Sequence, residues 1–334
     1  MKPDLLTIGD VSIDLYMLVD GKDIVTDNSA APKICFYHGS KVQVEKFSTS
    51  AAGNACHVAV GCRLLGMNTS IYTELGDDQN ADRFIEEFEQ YGIETKYCIK
   101  NKNSPTNVHA VVVYGGERTI FTYHEKRNYK LYEWETPKWI FYSSLAKGFE
   151  PFQKELVEYI KKSALSSTDK KNGKIGVAFN PGTLQLKSGL ENLKNILSVT
   201  DILFVNKDEA GMLLGMKNAD TNSRKNDMLK LHKELRNFGP KLTVITDGVN
   251  GSTSYDGKEL VKMGIYGNGK NVVDKTGAGD AYTAGFLAAI FYGKPLKTAM
   301  AWGAVNAANN VKTPGGITGL LNKEEIEKLS RDLL

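Results

Sequence analysis

The 334-residue sequence lacks the marks of a membrane, secreted or nucleic-acid-binding chain. No apolar run approaches the ~20 residues that cross a bilayer, and the apolar stretch 284–292 falls far short of it. The N-terminal residues reach an acid before a secretory core could develop, so neither export nor a membrane span is expected and the cytoplasm is the predicted compartment. Cysteine is scarce. Cys35, Cys56, Cys62 and Cys98 form no C-x-x-C pair and no spacing with histidine that suits zinc, which excludes a disulfide scaffold and fits a reducing environment. A formal charge of +3 is too slight to announce nucleic acid or an anionic membrane, leaving a small molecule as the expected partner. There is no internal repeat or low-complexity tract. No G-x-G-x-x-G follows the N-terminal strand, which argues against a nicotinamide-binding fold.

What is present is ordinary globular composition, 41% hydrophobic and 24% charged, in a chain long enough for one large α/β domain with an appendage. The run from Leu5 to Leu15 reads as one buried strand, with Asp10, Ser12 and Asp14 on a shared face. Helical patterns fit 55–66, 78–91, 151–164, 189–197, 279–292, 295–310 and 323–331. Strand patterns fit 69–73, 139–144, 174–180, 201–206 and 241–246. This alternation predicts an open, mostly parallel sheet with helices on both faces. Two β-rich patches break it, at about 15–49 and 106–125, the second with a hairpin turn at Gly115-Gly116. They are expected to form a small β lid inserted in a single domain spanning 1–334. Segment 163–174 reads as an exposed connector.

The most informative segment is Asp274-Lys-Thr-Gly-Ala-Gly-Asp280. Small residues at Gly277, Ala278 and Gly279 let backbone N–H groups close on an anion, and the following helix aims its positive end at the same point. A carboxylate at Asp280 beside such a hole could deprotonate an alcohol. Ala281, Ala284, Gly285, Ala288 and Ala289 form a stripe at helical spacing that speaks of close packing rather than chemistry.

Four separated segments resemble, in order, those of the ribokinase family of sugar and nucleoside kinases, also called the PfkB family. They are 51–66 (Ala-Ala-Gly-Asn-Ala-Cys-His and onward) followed by Gly76-Asp77-Asp78, then Asn206-Lys-Asp-Glu209, then Thr246-Asp-Gly248 with Gly251, and finally 274–286. The resemblance covers nearly the whole chain. It implies a three-layer α/β/α sandwich with a β-sheet lid and an ATP-dependent phosphotransferase acting on a sugar or sugar-like alcohol. In that family's pattern Asp280 is the base and Gly277, Ala278 and Gly279 form the anion hole. Asn206 and Glu209 resemble the pair that orients magnesium and phosphates, Glu209 through water; their plainer reading is a strand-end Asn and a first-turn Glu. Thr246, Gly248 and Gly251 resemble the nucleotide-phosphate loop, and Asn306 a residue near the adenine, although a buried helix Asn with local partners looks the same.

On the acceptor side Asp14 resembles the acid that binds two sugar hydroxyls, with Gly53 and Asn54 close to the sugar. His57 stands where an asparagine is expected, either as a sugar ligand or as a core histidine, and Lys275 replaces a smaller residue. Asp274 resembles part of a monovalent-cation site, so K⁺ accompanies ATP and Mg²⁺ among the implied cofactors. The charged run 123–128 reads mainly as solvated lid surface. Two rival functions keep the fold: a nucleoside kinase whose base would stack on Phe36, Tyr37, Phe121 or Tyr123, and a non-catalytic sensor. A homodimer through the exposed β lid is expected.

Overall fold

The computed structural model describes residues 2–27, 33–115, 117–166, 174–216, 227–269 and 271–334. Gly116 of the hairpin turn and most of segment 163–174 lie outside these residues. The strands are β1 Leu5–Ile8, β2 Ser12–Val19, β3 Ile24–Asp27, β4 Lys33–Phe36, β5 Val44–Ala52, β6 Thr69–Gly76, β7 Cys98–Asn101, β8 Asn107–Tyr114 and β9 Glu117–Tyr123. They continue with β10 Trp139–Tyr142, β11 Gly176–Phe179, β12 Ile202–Asn206, β13 Leu242–Thr246, β14 Ser252–Tyr255 and β15 Leu260–Met263. The helices are α1 Asn54–Leu64, α2 Gln79–Gln90, α3 Glu150–Ser166, α4 Thr183–Ser188, α5 Leu190–Val199, α6 Lys207–Leu213, α7 Met228–Arg236, α8 Ala278–Phe291, α9 Leu296–Asn310 and α10 Lys323–Leu329.

Nine of these strands form one sheet in the order β15-β14-β13-β12-β11-β10-β1-β6-β7. Pairing is parallel from β13 to β7, and β14 and β15 add antiparallel strands at one edge. The apolar runs are continuous because both faces are covered, as a parallel sheet requires. Alternate residues separate cleanly. Leu6, Ile140, Val177, Leu203 and Ile245 face a core closed by α3, α5 and α7, whereas Leu5, Phe141, Ala178, Ile202 and Val244 face one closed by α1, α8, α9 and α10. This is the three-layer α/β/α architecture.

The lid sheet has the order β5-β2-β8-β9, with β2 parallel to β8 and the other pairs antiparallel, and β3 with β4 makes a separate hairpin. Here the expectation of a single strand from Leu5 to Leu15 is corrected. The chain leaves the main sheet after Ile8 and enters the lid at Ser12, so Asp10 does not share a face with Ser12 and Asp14. Gly9 turns in a space closed by neighbours: a Cβ there would lie 2.9 Å from Ala55 Cβ and 3.2 Å from the Ser144 carbonyl oxygen. Asp10 is buried in the main body, where it accepts hydrogen bonds from the Tyr129 hydroxyl at 2.8 and 2.9 Å and from the Ala146 N–H at 2.7 Å. Burial is the main cause that pushes its pKa up to about 7, against the pull of these donors.

The small-residue stripe of α8 is met on two sides. A Cβ on Gly61 of α1 would sit 2.6 Å from Ala284 Cβ, and one on Gly285 would sit 2.6 Å from the Trp302 carbonyl oxygen of α9. Helices this close are held by backbone-to-backbone contact, which fixes the N-terminus of α8 relative to α1. Gly285→Ala is expected to lower unfolding free energy in urea by about 1–3 kcal/mol through overpacking. An unchanged midpoint would show that α9 does not bear on α8 as described.

Candidate active site

In an open parallel sheet the strands' carboxyl ends are where side chains can gather without disturbing the ladder. Asn180 follows β11, Asn206 ends β12 and Thr246 ends β13. All three line a cleft of about 380 Å³ that also takes in Asn54, Glu209, Lys275, Gly277, Ala278, Gly279, Asp280 and the lid residue Arg118. A second cavity, of about 420 Å³ on α2 and lined by Arg83 and Glu87 among others, holds none of the motif residues.

Gly277 precedes α8 with φ 71°, a left-handed conformation that suits glycine, and a Cβ there would come within 2.6 Å of Gly316 Cα. The turn thus presents the first N–H groups of α8 to the cleft, where an anion would satisfy donors that the helix leaves free. Asp280 lies in the first turn of that helix. Its Oδ2 accepts a hydrogen bond from His57 Nδ1 at 2.7 Å, across from α1, and its side chain remains 13% exposed while His57 is 4% exposed. Gly316 makes room for the ring, since a Cβ there would lie 2.4 Å from His57 Nε2. Burial works against charge on the imidazole, yet the hydrogen bond to Asp280 and the charges of Asp280 and Asp14 outweigh it, so the His57 pKa is raised from 6.5. His57 therefore reaches the carboxylate of the anion turn and is not among the residues lining the cleft.

Asp274, at the other end of the turn, is committed to local donors. It accepts from the Thr276 N–H at 2.8 Å, the Thr276 hydroxyl at 2.6 Å, the Gly315 N–H at 3.0 Å and the guanidinium of Arg118. Despite the burial that opposes ionisation, these bonds hold its pKa below the usual carboxylate value. Oδ1 carries three of these donors and Oδ2 only the Gly315 N–H, so a cation at this turn would share Asp274 with Arg118. Arg118 also donates to Thr276, as does the Tyr16 hydroxyl of β2 at 3.3 Å, so two lid strands are tied to the anion turn.

Asn206 and Glu209 form a reciprocal cap at the start of α6: Asn206 Oδ1 accepts from the Glu209 N–H and Glu209 Oε2 from the Asn206 N–H, both at 2.8 Å. The other Glu209 oxygen has no hydrogen-bond partner among the described residues. Burial raises the Glu209 pKa above its ordinary value, with the nearby charges of Asp280 and Asp208 acting in the same direction against the Asn206 bond. A cation bound to phosphates would relieve that environment. Among the described residues no cluster of three or more His, Cys, Asp or Glu could hold a metal by itself.

Asn54 donates from Nδ2 to Asn180 Oδ1 at 2.7 Å, and Asn180 in turn donates to the Phe204 carbonyl at 2.9 Å. Gly53 is forced by position, at φ 119° with the Asp10 carbonyl oxygen 2.5 Å from where its Cβ would be. Asp14 is buried on β2, in register with His109 of β8; it takes a hydrogen bond from Ser12 Oγ at 3.2 Å and lies 3.0 Å from His109 Nδ1, which itself hydrogen-bonds with Ser12 Oγ at 3.2 Å. His124 stacks edge-on against His109, and its pKa is lowered by burial and by that neighbour. Gly248 and Gly251 bracket a 3₁₀ turn after Thr246, both at positive φ, outside the cleft lining.

Two expectations need correction. Asn306 does not face the cleft: it is fully buried, donates to the Ala281 carbonyl at 2.8 Å and accepts from the Leu321 N–H at 2.9 Å. An amide so placed ties α9 to α8 and to the chain after it. The run 123–128 is not simply solvated, because Arg127 is buried and donates to Ser104 Oγ and the Pro105 carbonyl. Sequence reading missed Arg118, Asn180 and His109. A polar residue directly after the apolar run ending at Phe179 was a readable signal for Asn180. Nothing in the charge pattern distinguishes Arg118, and His109 becomes visible only once β8 is set in register with β2.

Comparison with known proteins gives the family and agrees with the fold. The family model described as pfkB family carbohydrate kinase matches residues 2–323. The chain is 22% identical to an ATP-dependent 6-phosphofructokinase of Thermoanaerobacterium thermosaccharolyticum, covering 98% of this chain and 94% of that protein. It is 26% identical to a nucleoside kinase of Methanothermobacter thermautotrophicus, covering 97% and 94%. Among solved structures, the ribokinase of Arabidopsis thaliana complexed with ribose and ATP superposes with a TM-score of 0.78 at 20% identity, covering 99% of each chain. A ribokinase of Cryptococcus neoformans in complex with ADP gives 0.74 at 20% identity, over 97% of this chain and 98% of that one.

Asn306→Ala would orphan the Leu321 N–H, costing about 1–3 kcal/mol when buried, and would take a second donor from the Ala281 carbonyl, which the helix ladder still satisfies. The expected result is a lower denaturation midpoint with nucleotide affinity unchanged below it. A loss of affinity with full stability would return Asn306 to the nucleotide site.

Proposed function

Since the chain belongs to the pfkB family of carbohydrate kinases and is an ATP-dependent kinase of that family, we propose that it moves the γ-phosphoryl group of ATP to a hydroxyl of a sugar or sugar-like alcohol, with Asp280 as the base. The observation that carries this reading is the meeting of the Asp280 carboxylate with the Gly277–Gly279 turn at one end of one cleft. Phosphoryl transfer asks for little covalent help from the protein; positioning and charge stabilisation do most of the work. The N–H groups of Gly277, Ala278 and Gly279 stabilise charge on the transferring group. Asp280 receives the alcohol's proton through the oxygen that His57 leaves open. Thr246, with the loop from Gly248 to Gly251 behind it, borders the nucleotide phosphates, and Lys275 and Arg118 add positive charge on the same side.

Asn206 and Glu209 would hold Mg²⁺ through water, the free Glu209 oxygen serving for this, and the ion would supply charge neutralisation across the phosphates. We assign no step to K⁺; at Asp274 it would be held through Oδ2, which carries only the Gly315 N–H. Asp14, with His109 beside it, holds acceptor hydroxyls, and Gly53 and Asn54 border the same end. Tyr16 and Arg118 link the lid to the turn, so a closed lid and a formed anion hole go together, which keeps water from the phosphoryl donor.

A nucleoside acceptor is the second reading, favoured by Tyr37, Phe121 and Tyr123, which are exposed on the lid and offer stacking surfaces. The test is ADP release over a panel of ribose, fructose, 2-keto-3-deoxygluconate, sugar phosphates and nucleosides. Phosphorylation of nucleosides alone would replace the sugar reading, and ligand binding with no acceptor-stimulated ADP release would leave a sensor. With the accepted substrate, Asp280→Asn should lower kcat by orders of magnitude while ATP still binds; near-unchanged kcat would remove Asp280 as base. The same exposed aromatics, with Phe47 and Ile120, support a homodimer through the lid. Light scattering that returns a monomer at micromolar concentration would exclude it.

A further inference from the structure

We propose that His57 is a positioning residue for the phosphotransfer base, holding Asp280 by its Nδ1–H and giving turnover an acid-side cut-off that belongs to the imidazole. The inference rests on the kinase reading and deepens it. An ionised carboxylate can only accept, so the 2.7 Å contact makes Nδ1 the donor whether the ring carries one proton or two. That bond takes Oδ2 and leaves Oδ1 without a protein partner among the described residues.

The ring has little freedom to do otherwise. It is confined between α1 and α8, with Gly316 against Nε2 and Cε1 and Gly277 3.3 Å from Nδ1 at their would-be Cβ positions. Nε2 is buried and makes no hydrogen bond of ordinary geometry among the described residues. The titratable groups that face the ring are Asp280 from α8, Asp14 from β2 and Glu87 from α2, with the neighbouring Cys56 thiol buried and raised by its burial. All the charged ones are acids, which is why the imidazole binds its second proton more readily than a free histidine does.

The chemistry then has a direction. In the transfer step the acceptor oxygen bonds to the γ-phosphorus, the bond from that phosphorus to the bridging oxygen of ADP breaks with its electron pair leaving on ADP, and the alcohol's proton lands on Asp280. His57 keeps its own proton throughout. With the ring neutral, the carboxylate carries full charge and one aimed oxygen. When the ring takes a second proton, its positive charge lies 2.7 Å from the group that must accept the alcohol's proton and opposes that transfer. Turnover should therefore fall as pH drops through the His57 pKa, which lies above 6.5.

Asparagine offers a clean separation, because its amide nitrogen sits at the same δ position as Nδ1 but does not titrate. His57→Asn should retain the hydrogen bond and most of the turnover, and the acid limb of the kcat profile should move to lower pH. His57→Ala should lower kcat by about 10²-fold, the scale of a misplaced reacting group, with the KM for ATP little changed. A readout independent of activity guards against simple unfolding: NMR titration of the wild-type imidazoles, with the His57 signal identified by its loss in His57→Asn. In Asp280→Asn that signal's pKa should fall by about 1–3 units. An unshifted His57 pKa in Asp280→Asn, or an unmoved acid limb in His57→Asn, would overturn the proposal. Coupled titration in a protein that phosphorylates no acceptor would instead overturn the kinase reading while leaving the pairing intact.

Discussion

The approach of α1 and α9 to α8, with no side chain between backbones at Gly285 and only a methyl at Gly61, is the constraint on which the site depends. It brings the start of α8 to the sheet's carboxyl edge and sets it beside the start of α1. Without that approach His57 and Asp280 would not meet, and Gly277 could not fold against Gly316. The helix end then does two things at once. Its first residues line the cleft, with the Ala278 N–H also donating to the Lys275 carbonyl at 3.3 Å, and its first-turn acid is held by an imidazole from the neighbouring helix.

The lid is joined to this arrangement by hydrogen bonds rather than by an apolar seam. Tyr16 and Arg118, from β2 and β9, both reach Thr276, and Arg118 also reaches Asp274. Asp274 in turn holds Thr276 and Gly315 by their N–H groups. A single carboxylate therefore links lid, anion turn and the loop that carries Gly316. On the far side, Asp10 performs a similar office for the main body, fastening Tyr129 and Ala146 at the point where the chain passes from β1 into the lid. These two acids explain how a mixed lid sheet keeps a defined position over the cleft.

Much of the fold could be read from the chain because parallel strands buried on both faces leave continuous apolar runs, as at Ile202–Asn206 and Leu242–Thr246. The break between β1 and β2 could not. Apolar residues recur through both segments, and the turn at Gly9 is imposed by Ala55 and Ser144, which are remote in sequence. Helix α7, which buries Leu231, His232 and Leu235, was missed. At the candidate site, glycine and acid spacing singled out Gly277, Gly279 and Asp280, and all three line the cleft, since their positions are dictated locally by the turn. Asn306 and His57 were noticed but not oriented. A polar residue on a buried helix looks alike whether it faces a ligand, a backbone carbonyl or a carboxylate, and only the packing of α8 against α1 and α9 decides among them.

The most direct measurement is a crystal structure with a non-hydrolysable ATP analogue and the accepted alcohol bound together. The account predicts the γ-phosphate on the N–H groups of Gly277–Gly279 and the acceptor oxygen within about 3 Å of the Asp280 oxygen opposite His57. A nucleotide bound away from the start of α8, or an acceptor hydroxyl that Asp280 does not reach, would contradict it.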